Sequence, residues 1–252
     1  MGLLKIQLVR HATILLTIED KIILVDPMLS PKGEMSPVLG VKNQNNNPLS
    51  ELPFEINLDK IDAVLLTHTH RDHFDDFAVK LLPKNTLIIC QPEDLNKLTD
   101  LGFKNVNPVQ NRGKFLGFEF IKTPAKHGTG EIGEKMAPVS GFVIMPSCKK
   151  SIYISGDTIW FEELKNVLNE HKPDISVVFS GAAKFSEGDP ITMTKEDIYK
   201  FCSFLNDGNV IVTHMDSWNH CNLSRNELKE FLEENNLSNR VYVPDNGEII
   251  IL

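Results

Sequence analysis

Four side chains able to ligate a divalent cation fall inside the run Thr67-His68-Thr69-His70-Arg71-Asp72-His73, directly after the apolar stretch Ala63-Val64-Leu65-Leu66. Neutral imidazole and carboxylate are donors that zinc and similar cations favour. Side chains alternate along a strand, so a strand-like exit points His68 and His70 the same way. A turn after them brings Asp72 and His73 round to the same cavity. Such an arrangement can hold two metals side by side.

Three further candidates each follow a predicted strand, where loop residues converge on one end of a sheet. His127 follows the strand at 118–122, Asp157 sits in Ile154-Ser155-Gly156-Asp157-Thr158, and His214 sits in Val212-Thr213-His214-Met215-Asp216. A lone histidine at a strand end is more often hydrogen-bonded or exposed than a ligand. Three such positions beside the first motif reverse that expectation. His68, His70 and His127 would give one metal three imidazoles and an open position for water. Asp72, His73 and His214 would serve a second metal. Asp157 is the natural bridge, because its two oxygens can neutralise adjacent cations. Two metals roughly 3.5–4 Å apart can share a hydroxide and lower its pKa towards neutrality. The chemistry this enables is hydrolysis at a carbonyl or phosphoryl centre. Zinc is the first choice of metal; manganese and iron accept the same ligands.

Asp72 is also read as catalytic. His11, after the first strand, is expected to face the site as an oxyanion donor or proton carrier. Asp26 ends a predicted strand and would accept a hydrogen bond from a ligand imidazole, fixing its orientation. Thr67 and Thr158 are placed to bond ligands or to cap loops. Asp216 and His220 read by default as exposed loop residues, Trp218 as a pocket wall or a packing residue, and Gly128-Thr129-Gly130 as a flexible loop.

The elements that must carry these residues are short β-branched runs at 3–9, 13–18 and 21–25, then 86–90, 105–108, 114–122, 140–146, 151–155, 175–179, 209–213, 241–243 and 248–251. Helices are expected at 75–82, 94–101, 161–170, 194–205 and from the capping box Ser224-Arg225-Asn226-Glu227 to about 235. The Lys149-Lys150 pair reads as a hairpin turn. Early strands cluster and later ones alternate with helices, which fits an α/β fold of two sheets face to face with helices on both outer faces, an αββα four-layer sandwich. One domain over residues 1–252 is the economical reading. The Pro-, Gly- and Asn-rich segment from Pro27 to Pro53 is long for a compact domain and reads as a flap over the site.

A net charge of −8 argues against a general nucleic-acid grip. No run approaches the roughly 18 apolar residues of a membrane span, so no stable membrane insertion is expected. Cys90, Cys148, Cys202 and Cys221 are scattered without a Cys-x-x-Cys pair, and read as reduced thiols in a cytoplasmic protein. A small-molecule substrate is the expected partner, and a homo-oligomer is compatible with the composition.

The motif His68-Thr69-His70-Arg71-Asp72-His73, with His127, Asp157 and His214 following in order, resembles the metallo-β-lactamase superfamily. That resemblance covers essentially the whole chain and implies the αββα sandwich and a binuclear metal-dependent hydrolase acting on a small ester, lactone or phosphodiester. Arg10-His11-Ala12-Thr13, Val25-Asp26-Pro27 and Leu66-Thr67-His68 are similar to the branch containing L-ascorbate-6-phosphate lactonase. The same features, with the Pro-rich segment, are similar to N-acylphosphatidylethanolamine-hydrolysing phospholipase D. An iron-dependent oxidoreductase of the same fold is the rival class. The flavodiiron type replaces the second motif histidine by a carboxylate, whereas position 70 is His.

Overall fold

The structure, a computed structural model, describes residues 4–146 and 150–252, so Leu3, Cys148 and Lys149 lie outside the described residues. In chain order the first half carries β1 (Leu4–Arg10), β2 (Thr13–Ile18), β3 (Lys21–Val25), β4 (Ala63–Leu65), α1 (Asp76–Leu81), β5 (Ile88–Cys90), α2 (Leu95–Asp100) and β6 (Val106–Pro108). The second carries β7 (Arg112–Phe115), β8 (Phe118–Pro124), α3 (Gly130–Met136), β9 (Ser140–Met145), β10 (Ile152–Ile154), α4 (Glu162–His171) and β11 (Ile175–Phe179). It continues through α5 (Lys195–Leu205), β12 (Asn209–Thr213), α6 (Arg225–Glu234), β13 (Val241–Tyr242) and β14 (Ile249–Ile251).

Among the described residues these strands form two sheets, ordered β14-β1-β2-β3-β4-β5-β6 and β13-β12-β11-β10-β9-β8-β7. The period-two alternation of each strand sorts its side chains between two apolar layers. Ile23, Val25, Ala63, Leu65 and Ile89 of the first sheet meet Phe120, Phe142, Ile154, Val177 and Phe179 of the second. The residues between them point outwards. Leu24, Val64 and Ile88 pack with Phe74, Ala78 and Leu98 of the helical side, while Val143, Val178 and Val212 pack with Leu164, Phe201 and Leu228. Strands buried on both faces favour near-continuous apolar runs, and Ile175-Ser176-Val177-Val178-Phe179 is buried throughout and apolar at all positions but Ser176. The result is helices, sheet, sheet, helices, the expected αββα class.

Strand direction positions the site. β3 pairs parallel with β4, β4 with β5 and β5 with β6, and β10, β11 and β12 are likewise mutually parallel. β1 and β8 join those directions through two antiparallel pairings each. Carboxyl ends therefore share a rim in each sheet, and His11, Asp26, His68, His127, Asp157 and His214 all lie just beyond such ends.

Two local expectations are corrected. Residues 114–122 are not one strand: β7 and β8 pair antiparallel around Leu116-Gly117, both with positive φ (55° and 84°). The segment after His127 is not merely loop, since α3 begins there with Thr129 as its N-cap residue. α3 buries none of its residues, so it leaves no apolar periodicity in the sequence. The capping boxes at Thr194 and Ser224 both form. None of the helices among the described residues is long and apolar enough to cross a membrane. Cys90, Cys202 and Cys221 are free thiols.

Candidate metal centre

His68 and His70 emerge from β4 on one side, their rings 4.4 Å apart. Alternation sends the intervening threonines elsewhere: Thr67 Oγ1 donates to Asp26 at 2.7 Å and Thr69 Oγ1 donates to Asp94 at 2.7 Å. A turn follows, in which His73 and Phe74 both donate backbone N–H groups to the His70 carbonyl. It brings Asp72 and His73 back under the rim.

The seven side chains gather into two adjoining groups. The donor atoms of His68, His70 and His127 lie within 4.8 Å of one another, as do those of Asp72, His73, Asp157 and His214. Asp157 stands between the groups. Its Oδ2 is 3.4 Å from His127 Nε2 and 3.2 Å from His73 Nε2, and its Oδ1 is 3.3 Å from His214 Nε2. Gly156 makes that approach possible. At φ +61° an added Cβ would sit 2.5 Å from the Ser140 carbonyl oxygen, so only glycine fits.

Four of the five ligand imidazoles, those of His68, His73, His127 and His214, are aimed by their outer nitrogens. Asp26 is fully buried; its Oδ1 accepts from Thr67 N at 2.8 Å and its Oδ2 pairs with His73 Nδ1 at 2.9 Å. A carboxylate can only accept, so His73 Nδ1 carries a hydrogen and Nε2 faces the cluster. Thr67 Oγ1, having donated to Asp26, accepts from His68 Nδ1 at 3.0 Å. One carboxylate thus orients two imidazoles. His127 Nδ1 bonds the Ile191 carbonyl at 2.8 Å and His214 Nδ1 the Ser180 carbonyl at 3.2 Å. Outer-nitrogen partners of this kind fix ring orientation in metal sites.

The electrostatics of the cluster are those of a site built around cationic charge. Burial pushes His73 and His214 down, but the carboxylates of Asp157 and Asp72 override it, raising His73 well above the usual range and His214 to about 10. Burial would raise Asp72 and Asp157; the surrounding imidazoles hold both well below the carboxylate range. His70 is pushed down by burial to about 4. His68 Nε2 is buried with no hydrogen-bond partner, and Asp157 Oδ1 has only the ion pair with His214 Nε2 at 3.3 Å. Under-satisfied acceptors in a buried His and Asp cluster are what bound cations would satisfy, so the residues present fit a pair of metals.

His11 lies on the second group, its Nε2 3.3 Å from Asp72 Oδ2 and its ring centroid 3.7 Å from that of His214. Trp218 stacks on its other side at 6.1 Å. Thr158 caps rather than ligates: its hydroxyl accepts from Lys126 N at 2.9 Å and donates to the Ile159 carbonyl at 3.0 Å. Asp216 is exposed and bonds Arg225 N and Nη1, both at 3.2 Å. His220, expected on an exposed loop, is buried instead.

Some functional positions went unread in the sequence. Arg10 is fully buried and donates to the carbonyls of Ser50, Met28 and Ser30 at 2.8–2.9 Å. It ties the start and end of the 27–53 segment to β1. Asn219 accepts from Asn47 Nδ2 at 2.8 Å and donates to the Val38 and Asn43 carbonyls, so the segment leans on the loop after His214. A charged residue ending an apolar strand was the available signal for Arg10. The carbonyls of Ser180 and Ile191 had none, because any residue supplies them.

The family model described as Beta-lactamase superfamily domain matches residues 21–215. The UPF0173 protein YddR of Bacillus subtilis is 38% identical over 245 residues, 95% of this chain and 96% of that protein. A crystal structure named as a possible metal-dependent hydrolase from Veillonella parvula superposes with a TM-score of 0.95 at 30% identity, covering 100% of both chains. Another, named isothiocyanate hydrolase from Delia radicum gut bacteria, gives 0.91 at 33% identity over 98% of both chains. None of these relatives is named a lactonase, so the finer branch resemblance stays an expectation. Matched along most of its length in sequence and throughout in fold, the chain belongs to the beta-lactamase superfamily, among relatives named metal-dependent hydrolases.

Proposed function

We propose that this protein is a binuclear metal-dependent hydrolase of small molecules with an electrophilic carbon, and that His68, His70 and His127 hold one cation, Asp72, His73 and His214 the other, with Asp157 shared. One observation carries the reading: two donor groups meet at a single buried carboxylate whose oxygens lie 3.2–3.4 Å from imidazoles of both groups. Bound there, two divalent cations would supply an acidified water and an electrophilic pull on the substrate. The chain itself supplies orientation, through Asp26, Thr67 and the Ser180 and Ile191 carbonyls, and a wall against bulk water. That wall includes the buried side chains of Met28, Met35 and Trp218.

Arg10 does not set the substrate's charge. Its guanidinium is engaged by three carbonyls inside the fold and is not spare for a phosphate. Arg10 is therefore no anion receptor, and an ester, lactone or phosphodiester would have to be held by the cations themselves. The likeness to a protein named isothiocyanate hydrolase adds the isothiocyanate carbon, an electrophile of the same kind as the ester or lactone carbon.

The test combines metal analysis with turnover of lactones, esters, isothiocyanates and phosphodiesters. Two metals per chain are expected, with activity lost on chelation and restored by zinc or manganese. Asp157→Ala should lose metal and turnover together. Full activity after chelation overturns the reading, and oxygen consumption by iron-loaded protein would favour the oxidoreductase class instead.

A further inference from the structure

We propose that His220 touches the substrate, donating a hydrogen bond from Nε2 to the heteroatom that gains negative charge during hydrolysis. The inference rests on the hydrolase reading above and adds a residue that the metal groups do not include. His220 lies on the loop that follows β12 and His214. Trp218, two residues before it, stacks on His11. Cys221, directly after it, has its Sγ within 4.8 Å of donor nitrogens of His11 and His214. Its ring is buried and rests on Phe185, centroids 5.9 Å apart. Its backbone carbonyl accepts from Lys184 N at 3.0 Å and Asn222 Nδ2 at 3.1 Å. The imidazole is therefore held where the loop after β11 meets the loop after β12, near enough to the second donor group for the charges of Asp72, His214, Asp157 and His73 to act on it.

The tautomer follows from what surrounds the ring. Nδ1 of His220 is buried with no hydrogen-bond partner. A sealed lone pair is less costly than a sealed N–H, which is why orphaned buried N–H groups are the rarer kind. Burial also lowers the affinity of this ring for a second proton; the charges of Asp72 and Asp157 oppose that and those of His214 and His73 add to it. The neutral ring thus keeps its one hydrogen on Nε2. His68, His73, His127 and His214 differ, each having Nδ1 engaged by the protein, the arrangement that aims Nε2 at a metal. His220 lacks that anchor and belongs to neither of the two donor groups, so its Nε2–H is left to a substrate. Donors fixed at the position where charge develops are an effective device in hydrolytic sites.

Two measurements decide this separately from the hydrolase reading. In the first, His220→Phe keeps the ring shape against Phe185 and removes the donor. It should retain the metal content and melting temperature of the natural protein while kcat falls about 10- to 100-fold with KM little changed, and His220→Gln, which keeps an N–H, should recover part of the loss. Unchanged kcat in His220→Phe, or loss of metal, overturns the proposal. In the second, long-range proton–nitrogen NMR of histidine-labelled, zinc-loaded protein should show His220 as the Nε2–H tautomer at pH 7, with that resonance shifted on adding thiocyanate. An Nδ1–H tautomer, or no shift with thiocyanate, overturns it even if no substrate of the panel is turned over. Failure of the natural protein on the whole panel counts against the hydrolase reading alone.

Discussion

At the scale of residues, the site depends on protons as much as on ligands. Against burial, the carboxylates of Asp157 and Asp72 raise both His73 and His214, whose Nε2 atoms lie 3.2 Å apart, so a cation must displace the proton held between them. Zinc binding should therefore release protons, read by calorimetry in buffers of different ionisation enthalpy; a slope near zero would contradict the assignment. The folded value of His214, about 10, lies above its ordinary 6.5. Its contribution to the metal-free fold is thus complete below pH 6.5 and is lost as pH climbs towards 10. Chelator-treated protein should melt progressively lower across that window, while zinc-loaded protein should not. Asp26 acts on two imidazoles at once, so Asp26→Ala should weaken metal affinity about 10- to 100-fold in a chelator competition. Retained affinity would reduce Asp26 to a turn carboxylate.

At the scale of elements, the strand-to-loop junctions hold the strain. His11, Asp26 and His214 all take positive φ (59°, 43° and 69°) immediately beyond strand ends, conformations that the surrounding packing must over-determine. Gly156 sits at another such junction, where an added Cβ would lie 2.5 Å from the Ser140 carbonyl oxygen. Gly156→Ala forces a Cβ onto the Ser140 carbonyl and into a left-handed backbone, and should cost about 2 kcal/mol or more, seen as a lowered melting temperature with reduced metal content. An alanine variant of natural stability and metal loading would show that the Asp157 loop has room the geometry denies it.

At the scale of the whole molecule, the two halves of the site are brought to one rim only because the sheets stay packed. Phe120 and Phe142 lie fully buried between them beside Ile154 and Phe179. Phe142→Ala should destabilise the fold by about 3–5 kcal/mol, through lost burial and the cavity left behind. Since Phe142 lies within β9 and not on the loops that carry the ligands, metal stoichiometry below the melting transition should be unchanged. Denaturant unfolding and metal analysis on the same sample check both halves of that expectation.

Sequence alone determined what can be read from local patterns. Period-two apolar runs announced most strands, Thr194 and Ser224 with their N3 carboxylates announced two helices, and His68, His70, Asp72 and His73 announced a metal motif through types and spacing within one turn of chain. What it could not supply was distance. Whether His127, Asp157 and His214 stand against the first motif or far from it depends on strand pairings between residues far apart in the chain, and those close only in the folded state. The same reason hid the roles of the Ser180 and Ile191 carbonyls, the burial of Arg10 and the sealed ring of His220. Each is defined by what another segment places against it, and no residue carries that information by its own chemistry.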